Sequence, residues 1–143
     1  MSSTLREKIS LLCAALMLVL IVYYVLQVPD TKTLPDAIAL IVGVMLAMAV
    51  VIILSVISLA TFHRPERIDE RDRLISTKAH YNSYFVLMTG AWLTISQVLF
   101  PETLSALTRL DNPTAPAHLL MLTLLAGDFT NFASRVFFYR KGV

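Results

Sequence analysis

Residues 34–61 read LPDAIALIVGVMLAMAVVIILSVISLAT, and no charged side chain follows Asp36 anywhere in that run. A surface helix of a water-soluble protein turns a polar face to solvent, and this run has none to turn. It is also longer than the roughly 20 apolar residues that carry a helix across a hydrocarbon core about 30 Å thick. Pro35 and Asp36 fall in its first turn, where a missing N–H and a negative charge both suit a helix start. The run therefore predicts a transmembrane helix, because backbone facing lipid must satisfy its hydrogen bonds internally.

Three further runs repeat the pattern on either side. Ile9 to Val28 holds no charged residue and stops at Pro29 and Asp30; a third run extends from about Tyr81 to Phe100 and ends at Pro101. The fourth extends from Pro116 to about Tyr139 and is followed by Arg140 and Lys141. Spans at 9–28, 34–61, 81–100 and 116–139 predict an all-α, polytopic membrane protein, four transmembrane helices in an antiparallel bundle. Residues 1–143 form one domain on this reading, since nothing outside the runs is long enough for a second core. Only 15% of the residues are charged, against about a quarter in a soluble domain, and those charges crowd into the gaps between the runs.

Composition excludes several classes. A net charge of +2 is too small to argue for direct binding of nucleic acid, and the lone Cys13 excludes an internal disulfide or a multi-cysteine metal site. Arg6 and Lys8 give the first run a positive start, but its apolar stretch is longer than a signal-peptide core and no small-residue cleavage site follows. Cys13 follows Leu12, where a lipoprotein site would need a small residue.

Orientation follows from Lys and Arg. Arg6, Lys8, Arg64, Arg67, Arg71, Arg73, Lys78, Arg135, Arg140 and Lys141 fall on one side of the predicted topology, and Lys32 and Arg109 on the other. The richer side marks the cytoplasm, with both chain ends there. Tyr23, Tyr24, Phe62, Tyr81, Tyr84, Phe100 and Phe137 to Tyr139 all fall near predicted interfaces, where aromatic side chains collect.

The segment before the third span is densely charged. Pro65 suits a first helical position and no further proline appears until Pro101, so a single helix is expected from Pro65 to Phe100. Residues 65–80 would then form a cytoplasmic stem carrying Arg67, Asp69, Glu70, Arg71, Asp72, Arg73 and Lys78. Asp69 and Arg73 are spaced for an i,i+4 ion pair, and Ile68, Ile75 and Ala79 share one narrow apolar face. That face needs a partner. The candidates are the chain's own N-terminal segment or C-terminal tail, a second copy, a soluble cytoplasmic protein, or anionic lipid heads meeting the basic side chains.

The stretch Asp69-Glu-Arg-Asp-Arg-Leu-Ile-Ser-Thr-Lys-Ala79, running into a tyrosine-rich span, resembles the box of a group of small bacterial membrane proteins of uncharacterised activity. That box reads roughly Asp-Glu-Arg-Glu, an aliphatic residue, then Lys-Ala entering a transmembrane helix; here Asp72 replaces the usual Glu. The resemblance covers the box and the span after it. It implies a bacterial inner-membrane protein, and, since some similar proteins restrain DNA-binding regulators at the membrane, a regulatory role through a cytoplasmic regulator protein. It implies no catalytic activity.

Polar residues inside the predicted spans are the second group of candidates. Asp128 lies near the middle of the fourth span, where a charge costs several kcal/mol unless paired, neutralised or hydrated. Asn131 and Arg135 share its face at i+3 and i+7. On the third span Asn82, Thr89 and Ser96 recur every seven residues, and the two polar seams are expected to pack together, with Trp92 or Gln97 nearby. Asp128 either is protonated or hydrogen-bonded to the third span and fixes helix packing, serves proton- or cation-coupled transport, or locks the chain to another subunit or to a partner membrane protein. In the second span Ala39, Gly43 and Ala47 recur every four residues, a spacing that lets helices approach closely, against the first span or in a homo-oligomer.

No catalytic constellation accompanies these features. The chain lacks a Gly-rich phosphate loop, G-x-S-x-G, H-E-x-x-H and C-x-x-C. His63, His80 and His118 fall at two membrane levels, and no pair has zinc-ligand spacing. The expectation is a non-enzymatic protein without metal or cofactor. Two functions remain: a regulatory or interaction protein using the stem, or an oligomeric transporter or channel subunit using Asp128.

Overall fold

The computed structural model describes residues 5–30, 33–62, 70–100 and 114–141. All regular structure among them is helical: α1 (Leu5–Gln27), a 3-10 turn (Val28–Asp30), α2 (Leu34–Phe62), α3 (Glu70–Leu99) and α4 (Ala115–Lys141). α1 and α2 are long and apolar enough to cross a membrane. The start of α2 is a reciprocal cap, in which the Asp36 carboxylate accepts from Thr33 Oγ1 (2.6 Å) and Thr33 N (3.3 Å), and Asp36 N donates back to Thr33 Oγ1 (3.4 Å). Pro116 occupies the first turn of α4, where no N–H is needed, and His118 N donates to Thr114 O (3.1 Å).

The third helix runs without a break from Glu70 to Leu99, 30 residues or about 45 Å, so it does begin well before Tyr81. The expected first turn, Pro65 to Asp69, with Arg67, Asp69 and Ile68, lies outside the described residues. The extension is not free-standing, because Ile75 and Ala79 are fully buried within the chain itself.

α4 is the centre of the molecule. It packs most extensively on α3 and next on α1, while α2 packs mainly on α1 and touches α4 slightly. The helices thus follow the order α2, α1, α4, α3, with antiparallel neighbours. α1, α2 and α4 meet through two apolar clusters. One gathers Cys13, Ala14, Met17 and Phe132; the other gathers Tyr24, Val44, Met121 and Leu125. The α3–α4 contact is built differently, from small and polar residues. Gly90 lies so close to Thr123 that a Cβ there would overlap that side chain, and a Cβ on Gly127 would lie 2.8 Å from Leu87 Cδ2. Ser83 Oγ donates to Gly127 O (2.8 Å) across the same seam.

On two helices the face that packs within the chain is not the one the spacing suggested. Ala39 and Gly43 are exposed, Ala47 is half-buried, and nothing outside its own helix's backbone and chain neighbours lies within 4 Å of a Cβ built on Gly43. The small stripe of α2 therefore does not pack on α1; Ala37, Val44 and Ser55 are buried instead. In α3 the buried seam is Ser83, Gly90 and Gln97, one residue further along than Asn82, Thr89 and Ser96, of which Asn82 still reaches α4 through a hydrogen bond to Ser134. The reason is steric. Gly90 permits the close approach of α4, and the face through it continues Ile75 and Ala79 by helical spacing.

Candidate functional site

The start of α1, the start of α3 and the end of α4 come together at one end of the bundle. Asp72 on α3 accepts hydrogen bonds from two other helices: it forms an ion pair with Arg6 of α1 and accepts from Tyr139 Oη of α4 at 3.0 Å. Arg71 donates to the Tyr139 carbonyl (3.4 Å), and Arg140 of α4 pairs with Glu7 of α1 (3.2 Å). Lys78 places its ammonium 5.7 Å from the centroid of the Phe138 ring. These contacts form a polar clasp that ties three helix ends together.

The clasp sorts the charged residues of this end. Asp72 and Glu7 are spent on internal partners, and Glu70 is the exposed carboxylate among the described residues there. Lys8, Arg71, Arg73, Lys78, Arg140 and Lys141 are exposed. Among the described residues, cations therefore predominate on the outward face. Glu70 and Arg73 make no ion pair among the described residues.

About one helical turn deeper, Arg135 bridges α4 and α3. Its Nε donates to Asn131 Oδ1 (3.2 Å), and its Nη2 lies 3.5 Å from Ser76 Oγ and 3.4 Å from His80 Nε2. Asn82 Nδ2 donates to Ser134 Oγ (3.1 Å). The other two members of the expected α3 seam turn inward on their own helix, Thr89 donating to Phe85 O (2.9 Å) and Ser96 to Trp92 O (2.8 Å). Threonine and serine in a helix commonly satisfy their hydroxyls this way. Of the residues singled out in the spans, Asn131 and Arg135 are thus joined directly. Asp128 is half-buried and makes no hydrogen bond or ion pair among the described residues.

At the opposite end, Tyr24 Oη of α1 and His118 Nδ1 of α4 share a buried hydrogen bond of 2.7 Å. Sequence reasoning placed Tyr24 at a membrane interface and left His118 unassigned. It also missed Arg6, Glu7 and Tyr139 as clasp residues and Ser76 and His80 as neighbours of Arg135. One signal was present: the stripe Ser76, Ser83, Gly90, Gln97 repeats every seven residues just as its neighbour does, and it alone contains the glycine.

Compared with protein-family models, with curated proteins and with solved structures, the chain matches none.

Proposed function

We propose that this chain is a bacterial inner-membrane protein of four transmembrane helices, both ends cytoplasmic, that acts without catalysis as a regulatory or interaction protein. The membrane reading is supported by the inverted distribution of side chains. Leu46, Phe85, Trp92 and Leu26 are each more than 60% exposed, whereas Ser83, Gln97, His118 and Thr123 are buried. A water-soluble monomer rarely exposes contiguous apolar surface on this scale, and helices packed in lipid use small and polar residues at their contacts. α3 and α4 carry more polar residues than α1 and α2 and cross as partners within the bundle. The basic residues at the clasp end favour a cytoplasmic location for that end.

The observation that carries the interaction reading is the clasp itself. By holding Asp72 and Glu7 internally it leaves a cationic face, suited to an acidic surface on a cytoplasmic partner such as a regulator. The resemblance of the box at residues 69–79 to membrane proteins that restrain regulators agrees with this. The test is affinity purification in mild detergent with Arg71, Arg73 and Lys78 replaced by Ala, sparing Asp72. Loss of a stoichiometric partner supports the proposal; the same partners at the same yield overturn it.

A second reading, an oligomeric transporter or channel subunit, is favoured by one observation: Asp128 is half-buried and has no partner among the described residues. Proton-linked flux in liposomes that Asp128→Asn abolishes would support it. Flux that is absent, or unchanged by the substitution, removes it.

A further inference from the structure

Among the described residues, Arg135 is a cation without a carboxylate partner. It is half-buried, its neighbours Asn131, Ser76 and His80 bring no negative charge, and no carboxylate lies within 4 Å of it among the described residues. The acids nearest in the clasp are committed elsewhere, Asp72 to Arg6 and Tyr139 and Glu7 to Arg140. Asp128 lies seven residues back along α4, about 10 Å in helical rise. Withdrawing a guanidinium from water costs several kcal/mol unless a negative charge offsets it.

Arginine can only donate, so His80 Nε2 accepts and its ring proton, on Nδ1, faces away from the guanidinium; Ser76 Oγ likewise accepts and keeps its own O–H. Nη1 has no hydrogen-bond partner among the described residues, so its two N–H groups are unspent. Those N–H groups and the neighbouring Ser76 O–H suit the oxygens of a phosphate. The position is one turn inside the Tyr139 clasp, about 6 Å from it along the helix, on the end that also exposes Arg71 and Lys78.

We propose that Arg135, with Ser76 beside it, binds a phosphate group supplied by an anionic phospholipid whose head lies against the α3–α4 contact at this end. Basic crevices between transmembrane helices on the cytoplasmic side suit such head groups. The proposal rests on the membrane reading but fails separately from it. Release of the chain from membranes by salt or alkali, without detergent, would overturn the membrane reading; lipid binding tests the site.

The experiment measures binding and thermal midpoint of the full chain in a neutral detergent. The probes are dioctanoyl phosphatidylglycerol, dioctanoyl phosphatidylcholine and inorganic phosphate. Phosphatidylglycerol is expected to bind at one per chain and raise the midpoint, with the zwitterionic lipid without effect. Inorganic phosphate binding without any response to phosphatidylglycerol would overturn the lipid as the source of the group. Arg135→Gln is expected to weaken binding at least about tenfold, the loss of one charge-assisted contact. Ser76→Asp is the decisive variant should Arg135→Gln fail to fold: it sets a carboxylate against the guanidinium and is expected to retain the fold while losing the lipid. Equal response to phosphatidylcholine, no response to any phosphate, or full binding by Ser76→Asp overturns the proposal.

Discussion

α2 and α4 are of nearly equal length, 29 and 27 residues, yet apolarity and burial run in opposite directions between them. α2 is the more apolar helix, and Leu46, Ile53, Leu54 and Val56 on it are each more than half exposed. α4 carries Asp128, Asn131, Ser134 and Arg135 and sits at the centre of the bundle, contacted by α1, α3 and, slightly, α2. In water the greasier helix would be the buried one. In the lipid proposed here apolar surface gains nothing from meeting another helix, so position is set by close packing and hydrogen bonds. α4 has both; α2 has few of either.

That contrast is broken most severely at the two glycines that represent it. Gly90→Leu pushes a side chain into Thr123, and the α3–α4 seam has to open. A loss of about 2–3 kcal/mol is expected, as for an overpacked core. It should show as a clear fall in thermal midpoint in detergent, partly recovered when Thr123→Ala is added. Gly43→Leu, on the open face of α2, should cost nothing measurable and gain a few tenths of a kcal/mol from helix propensity. Equal destabilisation at the two sites would mean that α2 packs as tightly as α4.

A smaller effect is expected at the hydrogen bond joining α1 to α4. Tyr24→Phe keeps the ring and its packing in the apolar cluster but removes the partner of buried His118 Nδ1. The expected loss is about 1–2 kcal/mol, read as a lower thermal midpoint. Tyr23→Phe, one residue away and half-exposed, is the control and should leave the midpoint in place. If the two variants behave alike, the bond does not help to hold α1 on α4.

At the clasp, Asp72→Asn removes the charge that Arg6 and Tyr139 share. Both partners of the Arg6–Asp72 pair keep about a fifth of their side-chain surface in solvent, so about 1 kcal/mol is expected, reduced by added salt. The salt response separates this loss from that at Tyr24, which should not depend on ionic strength.

The same contrast explains what was legible beforehand. Helix existence and extent could be read because long apolar runs bounded by prolines leave little besides helix for them to form. The expected spans at 9–28, 34–61 and 116–139 lie within a few residues of Leu5–Gln27, Leu34–Phe62 and Ala115–Lys141. Faces could not be read with the same ease. A run such as Leu34–Thr61 is apolar all round, so its sequence carries no signal for the side that packs, and the face of Ala39, Gly43 and Ala47 is not the one that packs on α1. In α3 two adjacent stripes both recur every seven residues, and polarity favoured Asn82, Thr89 and Ser96 while the steric demand of α4 selected the stripe with Gly90. The clasp joins residues 66 and 67 positions apart in sequence, Arg6 with Asp72 and Asp72 with Tyr139. Only the helix order α1, α4, α3 brings those together, and no local pattern encodes it. Arg135 and Asp128 stood out on chemistry alone, since an ionisable group within an apolar run is conspicuous; the neighbours of Arg135 on α3 were not.

The smallest effect belongs to the outermost contact of the clasp. The Arg140 side chain is 63% exposed and that of Glu7 15%, so solvent screens the pair from the Arg140 side. Glu7→Gln should therefore cost less than Asp72→Asn, about a few tenths of a kcal/mol. Its effect on charge is larger, because it deletes one of the few carboxylates at this end and makes the face more cationic. If the face recruits an acidic partner, Glu7→Gln should raise the association rate at low salt while leaving stability alone. A variant that loses stability as Asp72→Asn does would instead place Glu7 among the ties that hold α1 to α4.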